Sequence, residues 1–580
     1  MNSIKFRDEL YENFGIKNLR ELVNCSAQNY GNDTAFLVKD KPGGAYRAIS
    51  YRRFRNDINN LGTSLLSLGL EGEKIAVIGE NRYEWVVSYL AVTNGVGVIV
   101  PIDKELPEAE ITNLLRRSGA KAIIYSSKQG KKVTDAVSGV EELEYIIGMD
   151  SLKGDGKHKS FSSLMEKGRM LIEENNDIRY IKQNINNDDM CAIIFTSGTT
   201  GMAKGVMLSH KNISADIENV SMYVSYKGLT GLSVLPMHHT YEFNCHILAG
   251  IHQGASIAMC EGLKHVVKNM QEAKVSLLVG VPLLFESMHS RIWKKAEKSG
   301  KAGKLRKAMA ISKRLEKRNI KTMRKFFKDI SDAMGGQMKL MITGAAAINP
   351  KVVEDFNAFG INMIQGYGMT ENSPIISVSK DRYSKAASAG LPLPGLDVRI
   401  NNPDENGIGE IICKGDSVML GYYDDPEETS KVLKDGWLYT GDLGYFDKDG
   451  FLYISGRQKN VIVTKNGKNI FPEEVEFTLL QSPYIKEISS LNNEWSSTIN
   501  TVIIWNILYC GLILLFNVNE NTLPLPRWLV IFNTLLCLPS ISRQTTSPSP
   551  VPTSPAVPLI LTERSSLKQS AISCSVIPIP

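Results

Sequence analysis

Between residues 51 and 125 the apolar positions change period repeatedly. Tyr51 to Leu68 keeps the three- and four-residue spacing of a helix with one buried face, and Lys74 to Ile78 (KIAVI) is a continuous apolar run of strand length. Glu84 to Val92 is helical in spacing, Gly95 to Val100 is a short apolar strand that stops at Pro101, and Glu108 to Leu115 starts a helix behind Pro107. Ala120 to Tyr125 closes the series as a strand. Short apolar strands alternating with helices of ten or more residues predict a parallel α/β sheet. Glycines between helix and strand serve close packing, and nothing in this region is catalytic.

The pattern recurs at Cys191 to His210, CAIIFTSGTTGMAKGVMLSH. Ala192 to Phe195 predicts a buried strand. It runs into Thr196-Ser197-Gly198-Thr199-Thr200-Gly201, then Lys204-Gly205, then a second apolar run from Val206 to Leu208. Glycines let a backbone curl with its N–H groups inward, which makes an anion nest. Four hydroxyls and a lysine add donors and positive charge suited to a polyphosphate. This is not the common phosphate loop, because Lys204 precedes Gly205 where that motif needs Ser or Thr for magnesium. A flexible turn between two strands is the plainer reading, and the density of hydroxyls weighs against it.

Composition changes the picture in places. A chain of 580 residues, 43% hydrophobic and 22% charged, predicts a globular, soluble protein of three or four units. Eight cysteines show no C-x-x-C spacing, so neither a zinc site nor a disulfide framework is expected, and they fit a reduced cytosol. The N-terminus lacks the apolar core of an export signal. The net charge of +6 is local: residues 291–328 hold 16 Lys/Arg against Glu297 and Glu316, and the rest carries 51 basic and 59 acidic residues. That distribution argues against a nucleic-acid binder. Within the basic segment Leu305, Met309, Ile311, Leu315, Ile320, Met323, Phe326 and Phe327 are interleaved, so it reads as a solvated helical hairpin or as a helix lying on an anionic membrane.

Further candidates follow. LPMHHTYEF (Leu235 to Phe243) is a Pro-led loop with paired histidines. Lys339 to Ile342 is a strand entering Thr343-Gly344-Ala345-Ala346-Ala347, where small residues allow a flat ring to approach the backbone. In QGYGMTE (Gln365 to Glu371), Gly366 and Gly368 bracket Tyr367, Thr370 offers a hydroxyl and Glu371 a carboxylate that can hold magnesium. In GWLYTGD, Asp442 is an acceptor-only carboxylate suited to a pair of hydroxyls.

FTSGTTGMAKGV resembles the phosphate-binding signature of the adenylate-forming enzymes, the superfamily of acyl-CoA synthetases, luciferases and peptide-synthetase adenylation domains. NRYEWVVSYLAVTNGVGVIVPIDKELPEAEI, QGYGMTE, GWLYTGD and GFLYISGRQKNVIVTKNGKNIFPEEVE resemble further family segments, in the family's order, from about residue 45 to 487. The resemblance implies a large, multi-subdomain α/β N-terminal body followed by a small α+β C-terminal domain. It implies ATP-dependent activation of a medium- or long-chain fatty acid through an acyl-adenylate, with ATP and Mg2+, and transfer to CoA. An acyl carrier protein is the alternative acceptor, and a catalytically impaired nucleotide- or acyl-binding protein is the reading from another class.

Site roles carried by that resemblance are these. Thr196, Ser197, Gly198, Thr199, Thr200, Gly201 and Lys204 serve the phosphates. Gly344, Ala345 and Ala346 border adenine, along which Tyr367 lies. Thr370 serves the α-phosphate and Glu371 the magnesium, while Asp442 and Arg457 take the ribose. His239 contacts the carboxylate region, Phe243 gates the acyl channel, and Lys459 is the hinge of the C-terminal domain. The expected location is cytoplasmic, peripheral on the inner membrane face through residues 291–328.

After about Ile488 the resemblance is lost. Residues 488–580 hold only seven charged residues but 10 of the 23 prolines, around two apolar runs, Thr501 to Phe516 and Trp528 to Leu538. Both are shorter than the ~20 residues a span requires. The family's lysine in a Pro-x4-Gly-Lys context has no counterpart there, and Lys568 lacks that setting. The expected partition is therefore a body at 1–455, a hinge with the start of a truncated C-terminal domain at 456–487, and a non-native or disordered tail at 488–580.

Overall fold

A computed structural model describes residues 8–150, 156–196, 203–316 and 327–463, and short segments at 469–470, 472, 485–492, 501–507, 513–518 and 574–577. The chain divides into two compact units, one of Met1–Thr440 with Gly444–Ile454 and one of Gly441–Leu443 with Ser455–Pro580.

Helices of the first unit begin where a side chain replaces the missing backbone acceptor. Asn18 accepts the Glu21 N–H ahead of helix Leu19–Tyr30, and Ser50 accepts that of Arg53 ahead of Tyr51–Ser67. Ser209 and Asn212 form a reciprocal capping box for His210–Tyr223. Apolar strands between the helices assemble two large sheets. In the first the order is Gly421–Tyr422, Lys204–Ser209, Met190–Thr196, Val98–Pro101, Lys74–Ile78, Ala122–Tyr125, Tyr145–Gly148 and His158–Ser160. In the second it is Leu391–Pro392, Ile375–Val378, Asn362–Gly368, Leu340–Thr343, Leu277–Gly280, Thr230–Ser233, Ser256–Met259, Thr34–Val38 and Arg47–Ser50. The α/β class expected from the alternating pattern is the one found, with the helices covering the sheets and three large buried clusters between the layers.

Two departures have local causes. Interior strands are parallel, but Met190–Thr196 and Lys204–Ser209 pair antiparallel. Their connection, residues 197–203, is too short for the dozen or more residues of a parallel crossover. The apolar run at Gly95 becomes a strand only at Val98, because Gly95 turns at φ 123° and a Cβ on Gly97 would sit 2.1 Å from the Glu73 carbonyl oxygen. That stretch is a tight turn only glycine fits.

The basic segment folds as helices Pro282–Lys298 and Ala302–Glu316. Met309 and Phe327 are buried in the second cluster, with Trp293 and Leu305 packed against it, while Leu283 and Ile311 face solvent. Residues 317–326 lie outside the described set. Among the described residues no helix is long and apolar enough to cross a membrane. In the second unit, Ile462–Val463 pairs with Asn469–Ile470, and Ile485–Asn492, Thr501–Ile507, Ile513–Val518 and Cys574–Ile577 pair antiparallel.

Several buried histidines are kept neutral. At His210, burial and then the nearby Arg20 charge pull the imidazole down to about 4, and Nδ1 accepts the Leu19 N–H at 3.4 Å. An unfolded histidine titrates near 6.5. The folded state therefore refuses a proton that the unfolded chain takes, so this stability is complete above about pH 6.5 and falls as pH drops towards 4. Urea midpoints of the chain are expected to decrease between pH 7 and pH 5. His210→Gln should remove about one proton, ~1.4 kcal/mol per pH unit, from that slope. An unchanged slope would rule His210 out as a contributor.

Candidate active site

In a parallel sheet, ligands collect beyond the carboxyl ends of the strands. Leu340–Thr343 is parallel to both its neighbours, Leu277–Gly280 and Asn362–Gly368, and Thr230–Ser233 is parallel to Leu277–Gly280. Their carboxyl ends thus lead in one direction. Leu340–Thr343 enters Gly344, Asn362–Gly368 leads to Thr370 and Glu371, and Thr230–Ser233 precedes the loop that carries His239. The candidate residues belong to three loops on one edge because the sheet is parallel.

The loop after Leu340–Thr343 is held flat from beneath. Tyr241 donates its hydroxyl towards the Gly280 and Ile342 carbonyls at 3.2 and 3.3 Å. A Cβ on Gly344 would lie 3.2 Å from that phenol oxygen. Ala345 adopts φ 67°, a left-handed conformation that costs a non-glycine residue roughly 1–2 kcal/mol. Ala345 and Ala346 are exposed, giving a small-residue shelf.

The 370 turn is more tightly constrained. A Cβ on Gly368 would fall 1.9 Å from the Pro374 carbonyl oxygen, which also accepts the Met369 N–H at 2.8 Å. Buried Asn372 donates to the Ile375 carbonyl at 2.7 Å and accepts from Ser417 at 3.2 Å, and Ser373 donates to the Ser417 carbonyl at 2.8 Å. Thr370 and Glu371 lie on the partly buried face of this turn, after Tyr367.

The chain from 416 to 423 ties the turn to the first sheet. Met419 donates its N–H to the Glu371 carbonyl at 2.8 Å, Leu420 to Met207 at 3.0 Å and Tyr423 to Gly205 at 2.7 Å. Asn212 donates to the Asp416 and Val418 carbonyls, both at 2.8 Å. Gly421 and Tyr422 pair with Met207 and Val206 on the strand that begins with Lys204. As a result the Tyr422 hydroxyl donates to Glu371 Oε1 at 2.8 Å, and Lys204 Nζ lies 5.0 Å from the centroid of the same ring. Burial and the Glu371 carboxylate push the phenol well above its usual range, so it stays a donor.

Lys204 is also ion-paired with Glu428, on helix Pro426–Val432. Glu428 receives Lys431 at 2.6 Å as well. Its two lysine partners, Lys204 foremost, hold its carboxyl down to about 2. Thr196 faces Lys204 across the hairpin, its hydroxyl 3.5 Å from the Lys204 carbonyl. Ser197, Gly198, Thr199, Thr200 and Gly201 lie outside the described residues.

In the 235–243 segment the His238 and His239 rings are 4.0 Å apart and burial lowers both imidazoles. His238 lies 3.6 Å from Asp103. Phe243 is 2% exposed, wedged between Trp85 at 5.1 Å and Tyr89 at 4.0 Å, and opens a π-helical turn, Phe243–Leu248. His246 on that turn pairs with Glu242 just before it at 3.0 Å, both fully buried, a contact that periodicity does not reveal. In the second unit, Arg457 and Asp442 form an ion pair at 3.1 Å, and Lys459 is exposed in the turn Gln458–Asn460.

Sequence reasoning missed Tyr422, Glu428 and Lys431. The available signal was Asp425-Pro426 in GYYDDPEETSK, a helix cap followed by a first-turn proline.

Residues 24–423 match the family model described as AMP-binding enzyme. The chain belongs to that family, and with it to the adenylate-forming, AMP-forming acid–thiol ligases that use ATP and CoA. It is 30% identical over 488 residues to a long-chain-fatty-acid–CoA ligase 5 of Rattus norvegicus, covering 77% of this chain and 69% of that one. A chloroplastic long-chain-fatty-acid–acyl-carrier-protein ligase of Arabidopsis thaliana is 26% identical, covering 81% and 74%. In fold it is similar to an anthranilate CoA ligase solved with anthranoyl-AMP, at TM-score 0.67 and 20% identity, covering 87% of this chain and 88% of that one.

Gly368→Ala is expected to destabilise the chain by about 1–3 kcal/mol, because the new methyl overlaps a carbonyl that cannot move without displacing the 370 turn. ATP affinity should fall with it. Wild-type thermal stability and ATP binding in that variant would contradict this account of the turn.

Proposed function

We propose that the chain activates a fatty acid with ATP and passes the acyl group to CoA. One observation carries this reading: a lysine that starts a strand of one sheet and a carboxylate on the turn after a strand of the other meet on a single phenol, Tyr422. A cation for phosphate oxygens and a hard oxygen ligand for a divalent ion are what a magnesium-bound polyphosphate requires.

The donor set suits magnesium, which is commonly held by one or two carboxylates with phosphate oxygens and water; Glu371 would hold it. When bound, the ion would supply charge neutralisation to the phosphate oxygens. Lys204 draws on the same phosphates, with Thr196 across the hairpin from it, and the motif gives Ser197, Gly198, Thr199, Thr200 and Gly201 the same task. Thr370 orients the α-phosphate. Gly344, Ala345 and Ala346 form the adenine shelf, with Gly366, Tyr367 and Gly368 along its side, and Asp442 and Arg457 take the ribose hydroxyls. Neutral His239 donates to the substrate carboxylate, and Phe243 closes the acyl channel. A carboxylate oxygen attacks the α-phosphorus, the bond to the β-phosphate oxygen breaks and pyrophosphate leaves. A thiol sulfur then attacks the acyl carbon and loses its proton as AMP departs. Positioning and charge neutralisation supply most of the acceleration.

The long-chain substrate class rests on the names of the relatives, and the carrier-protein ligase among them supports acyl carrier protein as a second acceptor. Lys459 serves as the hinge between a body ending near 455 and a C-terminal domain whose family pattern stops near 487. Peripheral contact with the cytoplasmic membrane face would use the basic segment 291–328, where Ile311 is exposed among lysines and arginines.

Exchange of labelled pyrophosphate into ATP, measured with C6 to C18 acids, tests the reading. Acid-dependent exchange with a maximum at C12 or longer is expected. Absence of exchange in protein that binds ATP would show a binding domain that has lost its reaction, as the missing C-terminal lysine would allow.

A further inference from the structure

Tyr422 and Glu428 have no role in the assignments above, yet each touches a residue that does. Tyr422 uses two parts of one side chain. Its hydroxyl donates to Glu371 Oε1 at 2.8 Å while its ring face carries the Lys204 ammonium at 5.0 Å. Glu428 pairs with Lys204 through Oε2 and with Lys431 through Oε1 at 2.6 Å. Backbone bonds fix both. Tyr422 is in register with Val206 and donates its N–H to Thr429 Oγ1 at 2.9 Å, and Glu428 donates its N–H to the capping Asp425 carboxylate at 3.0 Å.

We propose that Tyr422 and Glu428 are positioning residues that set Lys204 and Glu371 in place, as one unit, before the nucleotide arrives. The inference rests on the phosphate role of Lys204 and the magnesium role of Glu371. A lysine carries considerable rotamer entropy on its four-carbon stem, which a nucleotide would otherwise have to remove. Here the ring and the Glu428 carboxylate have already removed it. An ammonium has three donors, so one spent on Glu428 leaves others for phosphate oxygens. Glu428 holds Lys204 through one oxygen and Lys431 through the other, and Lys431 also pairs with Glu427 at 2.9 Å, so the carboxylate that orients Lys204 is itself fixed from two sides. At Glu371, the phenol fixes one carboxylate oxygen and thereby the plane of the group.

ATP dissociation constants of the full chain, measured by calorimetry with and without Mg2+, separate the two roles. In the wild type Mg2+ should tighten binding, and Glu371→Gln should abolish that tightening. Tyr422→Phe keeps the ring beneath Lys204 and loses only the donor, so metal-free ATP binding should hold within twofold while the Mg2+ effect shrinks about tenfold. Adding Tyr422→Phe to Glu371→Gln should cause no further loss. Glu428→Gln should weaken metal-free binding about fivefold and leave the Mg2+ effect unchanged. A merely structural role would move both constants together. If Glu371→Gln loses the Mg2+ effect but Tyr422→Phe retains it, or if Glu428→Gln binds ATP as well as wild type or better, the inference is overturned and the roles of Lys204 and Glu371 stand. If Glu371→Gln keeps the effect, or the wild type binds no ATP, those roles fall, and the inference falls with them.

Discussion

Lys204 starts a strand of one sheet and Glu371 lies in the turn that follows a strand of the other, and they meet on Tyr422 because a strand of two residues, Gly421–Tyr422, is hydrogen-bonded onto the edge of Lys204–Ser209. The residues just before it take the same path, with the Met419 N–H on the Glu371 carbonyl and the Leu420 N–H on Met207. These backbone bonds, with that of the Tyr423 N–H on Gly205, convert two separate loop ends into one constellation. Backbone bonds suit this task because their geometry is fixed by register, whereas a contact made only between long side chains would have to be ordered at each encounter.

The scaffold behind this arrangement is rigid for ordinary reasons. Parallel strands such as Leu340–Thr343 and Leu277–Gly280 are buried along their whole length and leave their loops at one edge. Glycine is demanded where backbone meets backbone, at Gly368 against Pro374 and Gly97 against Glu73. The left-handed Ala345 is the opposite case, a strained residue in an exposed loop. Strain of that kind gathers where a loop must hold a particular face towards a ligand.

The α/β class was legible because short apolar runs alternate with helical periods, and every run from Lys74 to Tyr125 became an element of the expected kind. Boundaries were less legible. Lys204 reads as part of a glycine loop but is the first residue of a strand, since its pairing with Thr196 depends on hairpin register and not on its own propensity. Tyr422 and Glu428 were invisible as site residues because Glu428 meets Lys204 across 224 residues of sequence. Local pattern shows a helix cap at Asp425 but not what the helix faces. The π-helical turn at Phe243 likewise has no signature in period, as its neighbours Trp85 and Tyr89 come from a distant helix. Candidate roles for the phosphate, adenine and ribose residues came from order and spacing of motifs, which report ancestry more directly than geometry.

Reaction of the carboxylate at the α-phosphorus is tested most directly by the fate of its oxygen. A fatty acid labelled with 18O in both carboxylate positions should be turned over with ATP and CoA, and the products weighed by mass spectrometry. One 18O atom in AMP, with none in inorganic phosphate, is the expected result, because thiol attack leaves the bridging oxygen on the nucleotide. Label in inorganic phosphate, or none in either product, would contradict the account.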